Sequence, residues 1–372
     1  MKIGIPKEIK NREGRVSLTP AGAVQLRAHG HDVCVERSAG IGSGFADEEY
    51  IRAGAEIIST ADEVWETAEM IIKVKEPVEP EFDRMKEGQV LFTYLHLAAD
   101  EELTKKLLAR KVIGIAYETI QPADGSLPLL APMSEVAGRL SVQMGCSCLE
   151  AAKGGRGLLL SGVPGVAPAN VVIIGGGISG INAAHLAVGM GARVTILDVN
   201  IDRLRYLEDV FHSRAVTLMS NRTNIKESVA EADLVIGAVL IPGARAPRII
   251  SRDIVSKMKK GSAFVDIAID QGGCADTSRP TSHDNPVYIE EGVVHYCVTN
   301  MPGAVPRTST FALTNATLPF AIELADKGYE RALAENPALA GGLNVCGGSL
   351  ANPRVAEAFG MDCAKMAFSS VN

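Results

Sequence analysis

VVIIGGGISG, residues 171–180, is the stretch of sequence that decides the fold. Its first four residues form an apolar strand pattern, after which Gly175, Gly177 and Gly180 fit the spacing G-x-G-x-x-G. The run of small residues from 181 to 190 predicts a helix. The spacing alone is weakly specific. Strand, glycine turn and helix in this order predict the first β-α-β unit of a dinucleotide-binding domain.

Each glycine of this motif has a separate physical role. Gly175 permits the tight turn, Gly177 lets a pyrophosphate approach the backbone, and Gly180 lets helix and strand pack closely. Asp198 ends the next predicted strand and is placed to accept hydrogen bonds from ribose hydroxyls. Its charge would repel a 2′-phosphate, which predicts NAD rather than NADP. The alternative is a glycine turn that only packs a helix.

Apolar runs alternate with helical patterns on both sides of the motif. The predicted strands are 2–5, 32–36, 70–74, 89–94, 112–117, 171–174, 193–197, 215–219, 234–237, 263–266 and 293–297. The predicted helices are 20–29, 100–110, 134 to about 153, 181–190 and 308–327, and the tail 340–350 is predicted to be a loop. This alternation predicts an α/β protein with two doubly wound, parallel-sheet domains, as its 372 residues allow.

Composition restricts the possible functions. The chain has 37 Lys plus Arg against 44 Asp plus Glu, a net charge of -7, so a nucleic-acid-binding surface is not expected. No uninterrupted apolar run reaches the ~20 residues of a membrane span, and the start MKIGIPKE lacks the apolar core of a signal peptide. Seven cysteines, with Cys146 and Cys148 as the only close pair, predict reduced thiols in the cytoplasm and no metal site.

Three polar residues of the first half follow predicted strands at the edge where open α/β sheets bind ligands. Lys75 ends the run 71–75 and His96 ends the run 90–96, while Arg15 lies in the loop after the first strand. Arginine binds carboxylates through two hydrogen bonds, lysine binds a further oxygen, and histidine transfers protons near neutral pH. Taken singly, each also fits a surface charge or a structural histidine; their shared edge indicates a site.

In the second half, Asp270 follows the predicted strand 263–266 and precedes a glycine turn. This places it on the ligand edge of its sheet, where it would orient a water molecule or accept a proton. A residue that only caps the turn fits equally well. The other histidines lack such a placement and are predicted to be structural: His29, His31, His185, His212, His283 and His295.

Longer motifs carry a resemblance to a known family. They are IPKEIKNREGRV (5–16), KVKEP (73–77), LHL (95–97), YET (117–119), PMSEVAG (132–138), the glycine motif and VTNMPGAVPR (298–307). Together they resemble the L-alanine dehydrogenases, from residue 3 to at least Gly348. The resemblance implies reversible, NAD-dependent oxidative deamination of L-alanine to pyruvate and ammonia by a cytoplasmic homo-hexamer.

The resemblance also implies where the site lies. A substrate domain would comprise residues 1–130 and 306–372 and an NAD domain residues 131–305, with the active site in the cleft between two Rossmann-like domains. Arg15 and Lys75 would bind substrate, and His96 and Asp270 would be catalytic. The NAD site would be lined by Ser134, Gly175, Gly177, Ile178, Gly180, Asp198, Arg203, Ser220, Val239, Leu240, Ile267, Asp270, Arg279, Val298, Asn300 and Met301.

Two other functions remain open at this point. An NAD-binding subunit of a proton-translocating transhydrogenase would share the fold and the glycine motif but would need membrane partners. A non-catalytic NAD-binding protein would keep Gly175 to Asp198 but would not need Arg15, Lys75, His96 and Asp270 together. Which of His96 and Asp270 is the base at each step is also left open by the sequence.

Overall fold

The structure is a computed structural model that describes residues 1–239 and 246–366. The chain forms two compact units. The first unit is Met1–Met133 with Val305–Asn372, and the second unit is Ser134–Ala304. That the first unit binds the substrate and the second binds NAD stays a prediction.

The amino-terminal part of the first unit alternates strands and helices. Its strands are β1 (Lys2–Ile5), β2 (Asp32–Glu36), β3 (Glu56–Ile58), β4 (Met70–Ile72), β5 (Val90–Thr93) and β6 (Ile113–Ala116). Its helices are α1 (Pro20–Ala28), α2 (Asp47–Arg52), α3 (Ala61–Thr67), α4 (Glu79–Phe82) and α5 (Glu101–Arg110). Capping residues define several of these helix starts: Thr19 accepts the N–H of Gly22, and Asp100 accepts that of Leu103.

The second unit is entered through a long helix. Its helices are α6 (Ala131–Cys148), α7 (Ile178–Gly189), α8 (Ile201–Phe211), α9 (Arg222–Glu231) and α10 (Arg252–Val255). Its strands are β7 (Asn170–Ile174), β8 (Arg193–Asp198), β9 (Ala215–Met219), β10 (Leu234–Gly237), β11 (Ala263–Asp266), β12 (Val287–Glu290) and β13 (Val293–Tyr296).

The chain then completes the first unit. Its last helices are α11 (Pro306–Lys327), α12 (Tyr329–Glu335), α13 (Pro337–Ala340) and α14 (Pro353–Phe359), and its last strands are β14 (Leu343–Cys346) and β15 (Ser349–Leu350). The prediction of a loop over 340–350 is therefore wrong. β14 is a short strand that pairs antiparallel with β6. The glycines on both sides of it give the sequence a loop-like pattern.

The start predicted for the long helix at Ser134 is also wrong, because α6 begins at Ala131. Pro132 falls in its first turn, where a residue without an N–H is tolerated. The helix ends at Cys148 rather than near Lys153, and a separate 3-10 turn follows over Ala151–Lys153.

Both sheets reverse their winding at one point. The first sheet has the order β15-β14-β6-β5-β4-β1-β2-β3, with β1 to β6 parallel and β14 and β15 antiparallel. The second has the order β12-β13-β11-β10-β7-β8-β9, with only β12 antiparallel. The chain changes direction between β1 and β4 and again between β7 and β10. Such switch points are where doubly wound sheets bind ligands.

Each sheet is covered on both faces, which explains the unbroken apolar runs of its central strands. All four residues of β10 and of β11 are buried. One core packs Trp65, Leu91 and Val345 of the first unit, and another packs Val235 and Phe264 of the second. The predicted α/β class with two Rossmann-like sheets is confirmed.

Candidate functional site

A buried ion pair holds the guanidinium of Arg15. Its Nε lies 2.6 Å from Oε1 of Glu13 and its Nη2 lies 2.5 Å from Oε2, so the contact is bidentate. The exposed side-chain fractions are 2 % for Arg15 and 0 % for Glu13. Burial lowers the pKa of Arg15, but Glu13 opposes this strongly enough to raise that pKa above its ordinary value. The arginine is therefore a permanent, oriented cation.

The segment after β4 carries two lysines in different environments. Lys73 is buried, with its Nζ 3.2 Å from Glu8 and 2.8 Å from Glu81. Lys75 is only half-buried. Its N–H donates to Oε1 of Glu8 at 3.3 Å, and its carbonyl accepts from Oγ1 of Thr93 at 3.0 Å. The backbone that carries Lys75 is thus held from both sides.

His96 occupies a strained turn just after β5. Its φ is +49°, a left-handed conformation that is costly for a residue with a side chain and concentrates at functional sites. Glu118 stabilises the turn by accepting the N–H of His96 at 2.6 Å and that of Leu95 at 3.3 Å. The imidazole Nδ1 lies 3.9 Å from the same Glu118 carboxylate. With 45 % of its side chain exposed, His96 is accessible to a ligand.

Tyr94 connects His96 with Arg15. Its ring lies parallel to that of His96, with the centroids 5.6 Å apart, and its hydroxyl donates to the carbonyl of Leu129 at 2.5 Å. Burial raises the pKa of Tyr94, while the charge of Arg15 lowers it. The carboxyl edge of the first sheet therefore carries Arg15, Lys75 and His96, which is the placement that the sequence predicts. The roles of these residues stay predictions.

In the second unit, the glycine turn connects β7 with α7. Gly175 has φ +99°, and a Cβ there would lie 2.5 Å from the carbonyl oxygen of Ala238. A Cβ on Gly180 would lie 1.8 Å from the carbonyl oxygen of Gly175. A Cβ on Gly177 would meet no protein atom within 4 Å. The first two glycines are therefore required by packing, whereas Gly177 leaves open space beside the start of α7.

The start of α7 is suited to an anion. Gly177 is its N-cap and provides no side-chain hydrogen bond to the first turn, so the positive end of the helix dipole is available to a phosphate. α6 packs closely here, because a Cβ on Gly138 would lie 2.2 Å from the carbonyl oxygen of Ser179. Ser134 precedes Gly138 by one helical turn and so lies on the same face of α6.

Asp198, the last residue of β8, supports the glycine turn. Its Oδ2 accepts the N–H of Gly176 at 2.7 Å and its Oδ1 accepts that of Asn200 at 2.8 Å. Arg203 donates from Nε to the carbonyl of Gly176 and lies over the ring of Tyr206 at 4.7 Å. The carboxylate predicted to recognise the ribose is thereby fixed beside the turn.

Asp270 lies in the 3-10 turn Ile267–Gln271 that follows β11. Its carboxylate is exposed and accepts the N–H of Asn300, at 3.1 Å from Oδ1. A different aspartate caps the turn: Asp266 is buried and accepts from Ala268 N, Cys274 N and Ser278 Oγ. Asp270 therefore joins the loop after β11 to the loop after β13.

The other residues predicted for NAD binding lie mostly beyond strand ends. Ser220 follows β9 and donates its N–H to the carbonyl of Asp198 at 2.9 Å. Arg279 stacks over the ring of Tyr288 at 3.9 Å. Ile178 begins α7, Val239 follows β10, Ile267 follows β11, and Val298 and Met301 are buried after β13. Leu240 lies outside the described residues.

Four residues that organise these loops were not predicted from the sequence: Glu13, Tyr94, Glu118 and Asp266. Glu13 contacts Arg15 in its own loop, whereas the other three contact residues more distant in the sequence. No spacing in the sequence encodes these contacts. Glu118 falls within the YET motif and Glu13 within IPKEIKNREGRV, so the motifs included them without showing what they contact.

Further structural facts concern metals, membranes and thiols. In residues 1–239 and 246–366, no cluster of three or more His, Cys, Asp and Glu side chains could hold a metal ion. No helix in this part of the chain combines the length and the apolar character of a membrane span. The seven cysteines are free thiols.

Family models match both parts of the chain. The model for the alanine dehydrogenase/PNT N-terminal domain matches residues 4–137, and the model for the C-terminal domain matches residues 141–353. The chain belongs to the alanine dehydrogenase/PNT family. The resemblance predicted from the motifs is confirmed.

Curated relatives of this family match over nearly their full length. A protein of Methanococcus maripaludis named alanine dehydrogenase is 60 % identical over 359 residues, covering 96 % of each chain. One of Halomonas elongata with the same name is 58 % identical, covering 97 % of this chain and 98 % of the relative. A third, from Mycolicibacterium smegmatis, is 56 % identical and covers 96 % of each.

Solved structures agree with this family. An L-alanine dehydrogenase has a TM-score of 0.94 at 54 % identity, covering 97 % of this chain and 99 % of the other. A transhydrogenase from Sinorhizobium meliloti has a TM-score of 0.81 at 24 % identity, covering 95 % of this chain and 99 % of the other. At that identity, the second likeness shows the fold alone.

Proposed function

We propose that this chain is an L-alanine dehydrogenase, which oxidises L-alanine to pyruvate and ammonia in a reversible, NAD-dependent reaction. The observation that supports this most strongly is the arrangement of Arg15, Lys75 and His96 along one sheet edge. It occurs in a chain whose full-length relatives carry the name alanine dehydrogenase. Two cations beside an accessible imidazole suit an amino acid better than they suit a passive NAD-binding protein.

Substrate binding is the proposed role of Arg15 and Lys75. Both carry positive charge, and the substrate carboxylate is their natural partner. Because Glu13 fixes the guanidinium, Arg15 loses little freedom when it binds the carboxylate, and Glu8 fixes the backbone that carries Lys75. Orientation of this kind supplies up to roughly 7–11 kcal/mol of a barrier reduction when the bound geometry is near attack.

The second unit fits NAD. The open space at Gly177, the uncapped start of α7 and the fixed carboxylate of Asp198 match the pyrophosphate and the ribose. NAD bound there would supply the acceptor for the hydride that leaves the substrate Cα. The proposed NAD-binding set comprises the glycine motif with Ser134, Ile178, Asp198, Arg203, Ser220, Val239, Ile267, Asp270, Arg279, Val298, Asn300 and Met301, and also Leu240, outside the described residues.

His96 and Asp270 are proposed to move protons. Loss of hydride leaves an iminium on the substrate, which must gain water and then lose ammonia. The exposed His96 imidazole and Asp270 carboxylate are able to activate that water and to protonate the leaving amine. His96 belongs to the first unit and Asp270 to the second. The order in which they act is not assigned.

The state of the protein in the cell is also a proposal. The family resemblance supports a homo-hexamer in the cytoplasm that acts on a small-molecule substrate. Free thiols at all seven cysteines agree with a reducing compartment. Sedimentation velocity of the purified protein tests the assembly: one species of six times the chain mass is expected, and a monomer would contradict it.

A substrate profile tests the proposed function. Purified protein is mixed with NAD and with alanine, serine, glycine, valine or leucine, and NADH is followed by absorbance. Alanine is expected to give the highest rate, and leucine far less. NADH formation from leucine as fast as from alanine would contradict a small side-chain pocket. NAD binding without oxidation of any amino acid would instead favour a transhydrogenase-type subunit or a non-catalytic NAD-binding protein.

A further inference from the structure

Just after β4, two backbone N–H groups donate to a side chain rather than to a neighbouring strand. The N–H of Lys73 still donates to the carbonyl of Phe92 in β5, at 3.1 Å. The next two N–H groups, of Val74 and Lys75, both donate to Oε1 of Glu8, at 2.6 and 3.3 Å. β1, on the other side of β4, has already ended at Ile5. Glu8 thus supplies the acceptor that a longer β1 would have provided.

The same carboxylate is part of a buried charge cluster. Oε2 of Glu8 lies 3.2 Å from Nζ of Lys73, which lies 2.8 Å from Oε1 of Glu81. All three side chains are at most 3 % exposed. Burial lowers the pKa of Lys73, but the two carboxylates outweigh this and raise it. Lys73 therefore stays charged and leaves Glu8 a fixed orientation, with one oxygen toward the ammonium and the other toward the backbone.

Glu8 also lies within electrostatic range of the second substrate cation. Burial lowers the pKa of Arg15, and the negative charge of Glu8 is one of the contributions, smaller than those of Glu13 and Tyr94, that raise it. One carboxylate therefore fixes the backbone that carries Lys75 and favours the charged form of Arg15. The residues proposed to bind NAD belong to the other unit.

We infer that Glu8 is a positioning residue for substrate binding, which holds Lys75 in place through the backbone and is itself oriented by the buried Lys73. This inference rests on the proposed function, because it assumes that Lys75 binds the substrate. Glu8 acts through Lys75 and does not contact the reacting atoms in this scheme. Its loss is expected to weaken alanine binding and to leave NAD binding unchanged.

The variant Glu8→Gln tests the inference. A glutamine has one acceptor oxygen, which cannot serve the Lys73 ammonium and the two N–H groups together. We expect KM for alanine to rise about ten-fold or more, the cost of a displaced charge-assisted contact. The dissociation constant of NAD, measured by calorimetry, should stay within about two-fold of wild type because its site is built by other residues.

Glu81→Gln is the matched control. It removes the other buried carboxylate on Lys73 but no acceptor of Val74 or Lys75. We expect both variants to lose stability, whereas only Glu8→Gln should raise KM. A purely structural role for the cluster would instead give the two variants the same KM.

Glu8→Asp covers the case in which Glu8→Gln does not fold. The aspartate keeps a negative charge near Lys73, but its shorter side chain withdraws the carboxylate from the N–H groups of Val74 and Lys75. A several-fold rise in KM for alanine is expected from the folded enzyme. Wild-type KM in every folded Glu8 variant would overturn the inference while leaving the proposed function intact. Absence of alanine oxidation in the wild type would instead remove the proposed function.

Discussion

Both carboxylate oxygens of Glu13 contact the guanidinium of Arg15, two residues further along the chain, inside the protein. The pair presents Arg15 as a rigid cation at the edge of the first sheet. A buried guanidinium without its carboxylate is an uncompensated charge. The pair is therefore expected to govern both stability and substrate affinity.

Glu13→Gln tests this pair. We expect the free energy of unfolding to fall by about 3–5 kcal/mol, the usual cost of removing one partner of a buried ion pair. Urea denaturation measures it. The control is Asp62→Asn, which breaks the exposed contact with Arg84 and should cost at most about 1 kcal/mol. If the free energy of unfolding fell equally in the two variants, the buried Glu13–Arg15 pair would stabilise the fold no more than an exposed pair does.

The open space at Gly177 predicts a variant that loses the cofactor but not the fold. Gly177→Ala places a methyl group where no protein atom lies within 4 Å, so unfolding should be unchanged. We expect NAD affinity to fall about ten-fold or more, because the methyl group obstructs the approach of the pyrophosphate. Gly189→Ala, at the other end of α7 and also in open space, is the control. Unchanged NAD affinity in Gly177→Ala would place the cofactor elsewhere.

Asp198 is expected to set the preference for NAD over NADP. Asp198→Asn keeps the shape of the side chain but removes the charge that repels a 2′-phosphate. The ratio of kcat/KM for NAD to that for NADP should fall about ten-fold, a change of about 1.4 kcal/mol. Asp202→Asn, which alters an exposed aspartate paired with Arg205, should leave the ratio unchanged. A wild-type enzyme that uses NADP as well as NAD would refute this role.

His295 makes the stability depend on pH. The ring is buried between Tyr288 and Phe264, with Nδ1 3.0 Å from the carbonyl of Val293 and Nε2 2.9 Å from Oγ1 of Thr277. A carbonyl can only accept, so Nδ1 carries the proton and Nε2 accepts from Thr277 in a neutral ring. Burial lowers the pKa of His295 below its ordinary value of 6.5.

The unfolded chain protonates His295 more readily than the folded protein does. The stability that the neutral, buried ring contributes is therefore fully present above the pKa of His295 in the unfolded chain, and it is lost as the pH falls below that pKa. The slope from one such group is at most about 1.4 kcal/mol per pH unit. Urea unfolding of wild type and of His295→Gln, near neutral pH and about one and a half units lower, measures it. The free energy of unfolding should fall less between the two pH values in His295→Gln than in wild type. An identical loss would assign the pH dependence to other groups.

The sequence predicted the second sheet better than the end of the first. Strands such as Ala215–Met219 and Ala263–Asp266 have the predicted bounds, because each is a short, mainly apolar run that a polar residue ends or follows. β14 was missed, since its four residues lie between glycine pairs and are stabilised by pairing with β6, far away in sequence. The edge strand β12 has an intermediate or exposed burial pattern and gives no apolar signal.

In the candidate site, too, features set by local sequence could be predicted, and features set by contacts in the folded chain could not. The glycine motif and Asp198 could be predicted because their function depends on spacing within one β-α-β unit. The pairing of Arg15 with Glu13 and the stacking of Tyr94 on His96 depend on how loops fold over the sheet edge. The sequence pattern pointed to Asp270 alone, and only the structure shows that Asp266 caps the turn.

His96 and Asp270 are expected to act in the chemical step. His96→Ala and Asp270→Asn should each lower kcat by about 10²-fold or more, the lower end of what positioned acid–base groups contribute. Asp276→Asn, an exposed aspartate of the same unit, is the control for loss of charge. Asp270→Asn with wild-type kcat across the pH profile would reduce Asp270 to a structural contact with Asn300.

The path of the hydride tests the central claim most directly. L-alanine deuterated at Cα is incubated with NAD and the purified protein, and the products are analysed by mass spectrometry. The proposed function predicts one deuterium in each NADH formed, with pyruvate and ammonia released in equal amounts. NADH without deuterium, or no NADH that depends on alanine, would contradict the assignment of this chain as an alanine dehydrogenase.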